Sequence, residues 1–183
     1  MEKVMVYVHL ADGFEEIEAL TVVDVLRRAG VNVRTVSIMK DLTVTGAHGV
    51  PVVADALFED AGYEPCEMLI LPGGGPGTKR LLEHEGLKKA LLDFAAAGKW
   101  IAAICAAPMV LARNGLLDGR NATVYDGMEG ELAKARYTKE PVVRDGNFIT
   151  SRGPGTAIPF ALALAEILAG KEAADKVKGD LLC

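Results

Sequence analysis

Hydrophobic and polar positions follow two patterns along this chain, and the change from one to the other predicts its secondary structure. Continuous apolar runs, typical of strands buried on both faces, cover residues 4–10, 68–71 and 100–104. After the first run, a helix is predicted over 15–29, because apolar residues recur with helical spacing from Ile17 to Leu26 and Gly30 follows as a typical helix end. The pattern therefore predicts strands and helices that alternate along the chain.

The remaining elements extend this alternation. They are a strand at 31–39, a hairpin-like excursion at 42–54, one helix or two at 79–97 with a break near Gly86, a helix at 107–112, a short strand at 122–125, a hairpin around Asp145 and Gly146, and a helix at 156–168 followed by an amphipathic tail. Such alternation implies right-handed βαβ units and a mostly parallel sheet with helices on both faces. Ligands of open α/β sheets bind at the carboxyl ends of the strands, so the site is expected there.

Composition narrows the classes of protein that fit. The 183 residues, half of them hydrophobic, suit one domain spanning 1–183. A net charge of −5 argues against a nucleic-acid partner and against binding to an anionic membrane surface. No apolar stretch approaches the roughly 20 residues that span a bilayer. We expect a globular protein with no nucleic-acid or membrane partner.

The three cysteines indicate a reducing compartment. Cys66, Cys105 and Cys183 are an odd number and contain no Cys-x-x-Cys spacing, so neither a disulfide framework nor a zinc site is expected. The apolar run at 4–10 is too short for a signal peptide. These observations predict a cytoplasmic protein without a metal.

Cys105 is the most informative residue because it lies directly between a predicted buried strand and a predicted helix. A nucleophile at this place is exposed on a sharp corner that needs small neighbours, and Ala103 and Ala107 meet that need. The start of the following helix would also favour the thiolate. The alternative is that Cys105 is simply a small buried hydrophobic residue.

Two further features lie at other strand ends. The glycine-rich turn at 73–77 exposes backbone N–H groups that can bind an oxyanion, although an ordinary βα turn also explains it. Glu15, Glu16 and Glu18 complement the dipole of the first helix. Helical spacing places Glu18 on the same face as Glu15, and a buried carboxylate facing the cysteine could serve as a general base.

Histidines offer few alternatives as a base. The chain contains His9, His48 and His84, and none follows Cys105. His9 lies in a predicted strand, and His84 stands between two glutamates on a predicted helix. Only His48, in the glycine-bounded hairpin, is expected near a site.

Four blocks of sequence together resemble the DJ-1/ThiJ/PfpI superfamily, in its DJ-1/YajL-like branch. The blocks are Ala11-Asp12-Gly13-Phe14-Glu15-Glu16-Ile17-Glu18, Leu71-Pro72-Gly73-Gly74, Ala102-Ala103-Ile104-Cys105-Ala106-Ala107-Pro108 and Thr150-Ser151-Arg152-Gly153-Pro154-Gly155-Thr156. Their order and spacing cover essentially the whole chain.

The resemblance implies a flavodoxin-like three-layer sandwich of the class I glutamine amidotransferase type, and a homodimer. It also implies a set of site residues: Cys105 as nucleophile, Glu18 beside it, the N–H groups of Gly74 and Ala106 as an oxyanion pocket, and Gly73, Glu15, Tyr125 and His48 around the substrate. Tyr125 stands where this branch has a histidine, and His48 where it has an arginine. Ala106 replaces the histidine that follows the cysteine in the peptidase branch, which argues against peptidase activity.

The implied activity is the conversion of small reactive aldehydes or glycated substrates without a cofactor, such as methylglyoxal to lactate (glyoxalase III or deglycase activity), with a role in oxidative stress. A second hypothesis is that the protein is a non-catalytic redox sensor or chaperone that uses oxidation of Cys105. A third, a protein of the thiamine (thiazole monophosphate) pathway, rests on a family label.

Overall fold

The computed structural model describes residues 4–183 and is built around a seven-stranded sheet. The strand order is β10-β11-β7-β6-β1-β2-β5, and all neighbours are parallel except β10 and β11. The sheet strands are β1 (Met5–Leu10), β2 (Asn32–Ser37), β5 (Ala56–Leu57), β6 (Cys66–Leu71), β7 (Trp100–Ile104), β10 (Val142–Asp145) and β11 (Phe148–Ser151). Two small two-stranded sheets pair β3 (Thr43–Thr45) with β4 (Pro51–Val53) and β8 (Asn121–Ala122) with β9 (Arg136–Tyr137).

Helices cover both faces of the sheet, which confirms the predicted α/β sandwich. They are α1 (Glu16–Arg28), α2 (Gly75–Glu83), α3 (Glu85–Ala96), α4 (Pro108–Arg113), α5 (Ala157–Ala169) and α6 (Lys171–Asp180). Alternate residues of β1 divide between the two cores: Val6 and Val8 pack with α1 and α5, whereas Tyr7 packs with α3 and α4. Burial on both faces explains why these strands are continuous apolar runs.

The predicted helical segment at 79–97 contains two helices, and the break expected near Gly86 falls at His84. His84 ends α2 and caps α3, because its Nδ1 accepts a 2.9 Å hydrogen bond from the backbone N–H of Leu87. Gly86 is needed for packing instead, since a Cβ there would lie 2.7 Å from the ring of Phe58. His84 is therefore a cap and not a solvated helix position.

Two other boundaries differ from the pattern. Glu15 lies outside α1 as its N-cap, and its Oε2 accepts a 2.8 Å hydrogen bond from the N–H of Glu18. The second helix begins at Gly75, earlier than the expected Lys79, so its first turn contains the glycine-rich segment.

Within residues 4–183, none of the helices combines the length and apolar character needed to cross a membrane.

The parallel strands bring their carboxyl ends to one edge of the sheet. The chain leaves β1 toward Glu15, β6 toward Gly73, β7 toward Cys105 and β11 toward Arg152. The first two segments are joined directly by a 3.0 Å hydrogen bond from the N–H of Glu15 to the carbonyl of Gly73. The predicted site residues on these four segments therefore meet at this edge.

Candidate functional site

Cys105 adopts the conformation expected of a nucleophile at a strand-to-helix corner. Its φ is +65°, in the left-handed region that costs a non-glycine residue about 1–3 kcal/mol and persists only where the surroundings hold it. The N–H of Cys105 donates to the carbonyl of Ser151 at 2.9 Å, and its carbonyl accepts from the N–H of Tyr125 at 2.9 Å. The residue is 8% exposed, so little of the thiol is accessible to solvent.

Small residues make this corner possible. Ala103 and Ala107 are both fully buried, leaving no room for larger side chains beside the turn. Gly73 lies against the thiol: a Cβ on it would be 2.6 Å from Cys105 Cβ and 3.0 Å from Sγ. The absence of a side chain at Gly73 therefore gives the sulfur its space.

Glu18 is a fully buried carboxyl group in the first turn of α1, beside the thiol. Its Oε2 accepts a 2.7 Å hydrogen bond from the N–H of Gly73, and Oε1 has no hydrogen-bond partner among residues 4–183. The carboxyl group and the Cys105 thiol both lie against Gly73, since a Cβ on that residue would be 2.6 Å from Glu18 Oε2 and 3.0 Å from Cys105 Sγ. Burial raises the pKa of Glu18 to about 7, against which the contacts with Cys105 and Gly73 act. Glu18 can thus gain or lose a proton near neutral pH.

The thiol is not pre-ionised, which corrects the expectation drawn from the helix start. Burial, followed by the negative charge of Glu18, raises the pKa of Cys105 to about 12. The following helix, α4, has six residues and begins three positions after Cys105, at Pro108. Backbone N–H groups of Gly74 and Ala106 face the sulfur and lower its pKa, but they do not outweigh burial. Cys105 therefore needs a base, and Glu18 is placed to be one.

Glu15 supports this arrangement through its contacts with the first turn of α1 and with Gly73. Its carboxylate caps α1 by binding the N–H of Glu18, and its backbone is bonded to Gly73. Its negative charge also contributes to the raised pKa of Glu18. The contacts of Glu15 therefore hold the first turn of α1 against Gly73.

His48 lies on the surface, at the turn between β3 and β4, and its partner is Glu16. Its Nδ1 is 2.9 Å from Glu16 Oε2, while its backbone N–H donates to Glu16 Oε1 at 2.7 Å. The hydrogen bond and the charge of Glu16 raise the pKa of His48. These contacts tie the β3–β4 hairpin to the start of α1.

Glu15, Glu16 and His48 are also the one group within residues 4–183 whose donor atoms are spaced for a metal ion, all within 4.8 Å of one another. Glu16 is already bonded to His48, and Glu15 caps α1. Anchoring of the hairpin accounts for the cluster, and we assign it no metal.

The backbone of Tyr125 lies beside the Cys105 corner, because its N–H donates a hydrogen bond to the carbonyl of Cys105. Its side chain is 49% exposed, and a ring carbon is 3.3 Å from the place a Cβ on Gly153 would occupy. The ring therefore forms part of the surface next to the 152–156 segment.

Sequence reasoning missed one prominent contact at this edge. Arg152 binds Asp126 through Nε at 3.1 Å and through Nη2 at 2.6 and 2.8 Å, and Lys139 lies 3.3 Å from the same carboxylate. The hydrogen bonds from Arg152 hold the pKa of Asp126 below its usual value. Arg152 belongs to a block already noted in the sequence, but nothing local links it to a partner 26 residues away.

Comparison with known proteins agrees with this geometry. Residues 3–167 match the profile of the DJ-1/PfpI family. The chain is 40% identical over 175 residues to the protein dj-1beta of Drosophila melanogaster, covering 94% of each. It is 33% identical over 160 residues to a protein named a deglycase from Pyrococcus abyssi, covering 86% of this chain and 95% of that protein. It spans 38% of the length of another relative, DJ-1 homolog B of Arabidopsis thaliana.

A solved structure shares the whole fold. The oxidized DJ-1 of Toxoplasma gondii superposes with a TM-score of 0.94 at 39% identity, covering 98% of each chain. Family profile, sequence relatives and structural likeness all extend over the segments that build the Cys105 corner. The chain therefore belongs to the DJ-1/PfpI family.

Proposed function

We propose that the protein is a cofactor-independent cysteine enzyme that converts small 2-oxoaldehydes, with methylglyoxal as the model substrate, to 2-hydroxy acids. The observation that carries this proposal is the Glu18–Cys105 pair, a base of pKa about 7 beside a buried thiol. The name of the Pyrococcus relative, a deglycase, supports chemistry on carbonyl adducts.

The first step forms a bond between sulfur and the aldehyde carbon. As Sγ of Cys105 attacks, Glu18 accepts the thiol proton, and the aldehyde oxygen becomes an alkoxide that is then protonated to a hemithioacetal. The N–H groups of Gly74 and Ala106, which face the sulfur, are placed to stabilise that developing negative charge. Because a thiol with a pKa of about 12 is almost entirely protonated at neutral pH, this step depends on the base.

The later steps move one proton from carbon to carbon and one from oxygen to oxygen within the adduct. Glu18 removes the proton from the carbon that bears the sulfur while the ketone oxygen gains a proton, which gives an enediol. Glu18 then returns a proton to the neighbouring carbon while the hydroxyl on the sulfur-bearing carbon loses its proton, which gives a thioester. Water then hydrolyses the thioester, releasing lactate and restoring the thiol. The sequence adds one water to methylglyoxal and needs no external oxidant or reductant.

The test is turnover of methylglyoxal by the purified protein, with no cofactor added, compared with Cys105→Ala. Lactate formation that disappears in Cys105→Ala supports the proposal. Cys66→Ala is the matched control, because Cys66 is also a buried thiol but lies at the other end of the sheet, at the start of β6. Absence of lactate with the wild-type protein, or equal rates in the wild type and Cys105→Ala, rejects it.

A second function is favoured by the same geometry. Two molecules of peroxide convert the Cys105 thiol to a sulfinic acid and release two waters. The product's oxygens would lie among the donors that face the sulfur, with Glu18 alongside. A redox-responsive protein of this kind would be oxidised at Cys105 without converting aldehydes, and the lactate assay separates the two functions.

A further inference from the structure

The backbone of Cys105 is held inside a closed ring of contacts. On one side its N–H is bonded to Ser151, and the next residue along that segment is Arg152. On the other side its carbonyl is bonded to Tyr125, and the next residue there is Asp126. The ring closes because Arg152 and Asp126 bind each other with three hydrogen bonds of 2.6–3.1 Å.

This ring encloses the strained residue of the site. Left-handed conformations of non-glycine residues persist only where their surroundings fix them. On the sheet side of the ring, the two flanking segments are joined by a 2.9 Å hydrogen bond from the N–H of Thr123 to Oγ1 of Thr150. On the solvent side, Arg152 and Asp126 provide the corresponding link, and the bidentate fork fixes direction as well as distance.

We propose that Arg152 is a positioning residue for Cys105: with Asp126 it keeps the 151–156 segment and the Tyr125 loop at the separation that holds Cys105 in its left-handed conformation, with Sγ facing the N–H groups of Gly74 and Ala106. The proposal rests on the proposed function for its consequence in catalysis, but the placement of the sulfur can be measured without any turnover.

Loss of the link has a definite consequence. When the two segments separate, Cys105 can relax toward an ordinary negative φ, and Sγ moves away from the two N–H groups. Those groups favour the thiolate, so their loss leaves less thiolate at any given pH. Simple loosening of the structure around Cys105 would have the opposite effect on reactivity, because it would expose the sulfur.

The experiment measures the rate of Cys105 alkylation by iodoacetamide, followed by peptide mass spectrometry, at several pH values from 7 to 9. We expect Arg152→Gln to slow alkylation severalfold at every pH, and Asp126→Asn, which loses the charge but keeps an accepting oxygen, to slow it less. The double variant should be no slower than Arg152→Gln alone, since both changes act on one contact. Arg152→Lys keeps the charge but not the fork, so it should restore only part of the rate.

Arg113→Gln is the matched control, because Arg113 binds Glu131 with two hydrogen bonds of 2.6 and 3.2 Å away from the ring. Urea unfolding of each variant shows whether it folds, and Asp126→Asn keeps the shape of the side chain if Arg152→Gln does not fold. Alkylation that is unchanged relative to Arg113→Gln, or faster, overturns the proposal. Slower alkylation in a protein that makes no lactate would support the positioning role and reject the proposed aldehyde chemistry.

Discussion

The backbone N–H of Gly73 donates a 2.7 Å hydrogen bond to Oε2 of Glu18, joining the end of β6 to the first turn of α1. The same glycine leaves space for sulfur: a Cβ on it would be 2.6 Å from Glu18 Oε2 and 3.0 Å from Cys105 Sγ. One residue without a side chain therefore fixes the acid and the thiol relative to each other.

Replacement of that glycine should damage the site directly. In Gly73→Ala the new methyl group overlaps both Glu18 and Cys105, so we expect the free energy of unfolding to fall by about 1–3 kcal/mol. Aldehyde turnover should fall as well. Gly75→Ala is the control, since a Cβ there meets nothing within 4 Å. Urea unfolding and lactate assays of both variants test this, and equal behaviour of the two would contradict it.

Glu18→Gln should leave the fold intact and lower the turnover of methylglyoxal by about 100-fold or more, the usual scale of general acid–base catalysis. The wild-type rate should rise with pH as Glu18 ionises near pH 7, and this rise should be absent in the variant. Glu16→Gln removes a carboxylate from the same helical turn, but one that binds the hairpin, and should have a much smaller effect. Turnover by Glu18→Gln at the wild-type rate would remove Glu18 from the mechanism.

The buried carboxyl should also make stability depend on pH. The unfolded chain releases the Glu18 proton near pH 4.5, whereas the folded protein retains it to about pH 7. Folding therefore binds a proton in this interval, and the contribution of Glu18 to stability is lost as pH rises across it, by about 3 kcal/mol in total. Chemical unfolding at pH 4.5 and pH 8 should show that Glu18→Gln gains stability relative to the wild type as pH rises. A constant difference between the two proteins would contradict the raised pKa.

Limited hydrogen peroxide should modify Cys105 before the other two thiols and stop at the sulfinic acid. Cys66 is fully buried, and its thiol donates to the carbonyl of Met68 at 3.3 Å. Cys183 is exposed, and its thiol donates to the carbonyl of Lys178 at 3.7 Å, whereas the thiol of Cys105 has the carboxyl group of Glu18 beside it. Glu18→Asp, with a carboxyl one methylene shorter, should slow the reaction or allow further oxidation. Peptide mass spectrometry over a peroxide titration measures the order in which the three thiols are oxidised. Earlier oxidation of Cys66 or Cys183 would reject the predicted order.

The protein should form a homodimer through the outer face of α1 and α5. Ile17 is 56% exposed on α1, Ile158 is 40% exposed on α5, and a cavity of about 660 Å³ lined by both lies between the helices. A second copy would cover this apolar surface. Sedimentation at micromolar concentration should show a dimer that Ile17→Asp weakens. Leu92→Asp, at an exposed leucine of α3 on the other face of the sheet, should leave it unchanged. A wild-type protein that sediments only as a monomer would contradict the prediction.

The fold could be predicted because its signals are local. Buried strands appear in the sequence as apolar runs, and the glycines at the ends of strands and helices mark the turns. A break was expected near Gly86, but the role of His84 as a helix cap could not be predicted, because it depends on the orientation of one ring nitrogen toward Leu87.

The sequence placed the candidate residues near one another, but it could not give the pKa values of their ionisable groups. Motifs placed Cys105 and Glu18 together, yet the pKa of the thiol depends on burial and on a carboxyl 87 positions earlier, neither of which the local sequence records. The expected help from the helix start failed for that reason. Arg152 and Asp126 were missed because their link exists only after two distant segments have folded onto the Cys105 corner.

The donors that face the sulfur are peptide N–H groups, those of Gly74 and Ala106. Every residue except proline carries such a group, so ordinary side-chain replacement at either position cannot delete the donor and acts only through bulk or backbone strain. At Gly74, whose φ is +89° and whose Cβ would lie 2.2 Å from the carbonyl oxygen of Gly13, nearly every replacement is excluded on steric grounds. The main chain therefore provides the anion-binding capacity of this corner. Only a change to the main chain, such as an ester bond in place of the amide at Ala106, would remove a donor while leaving every side chain in place.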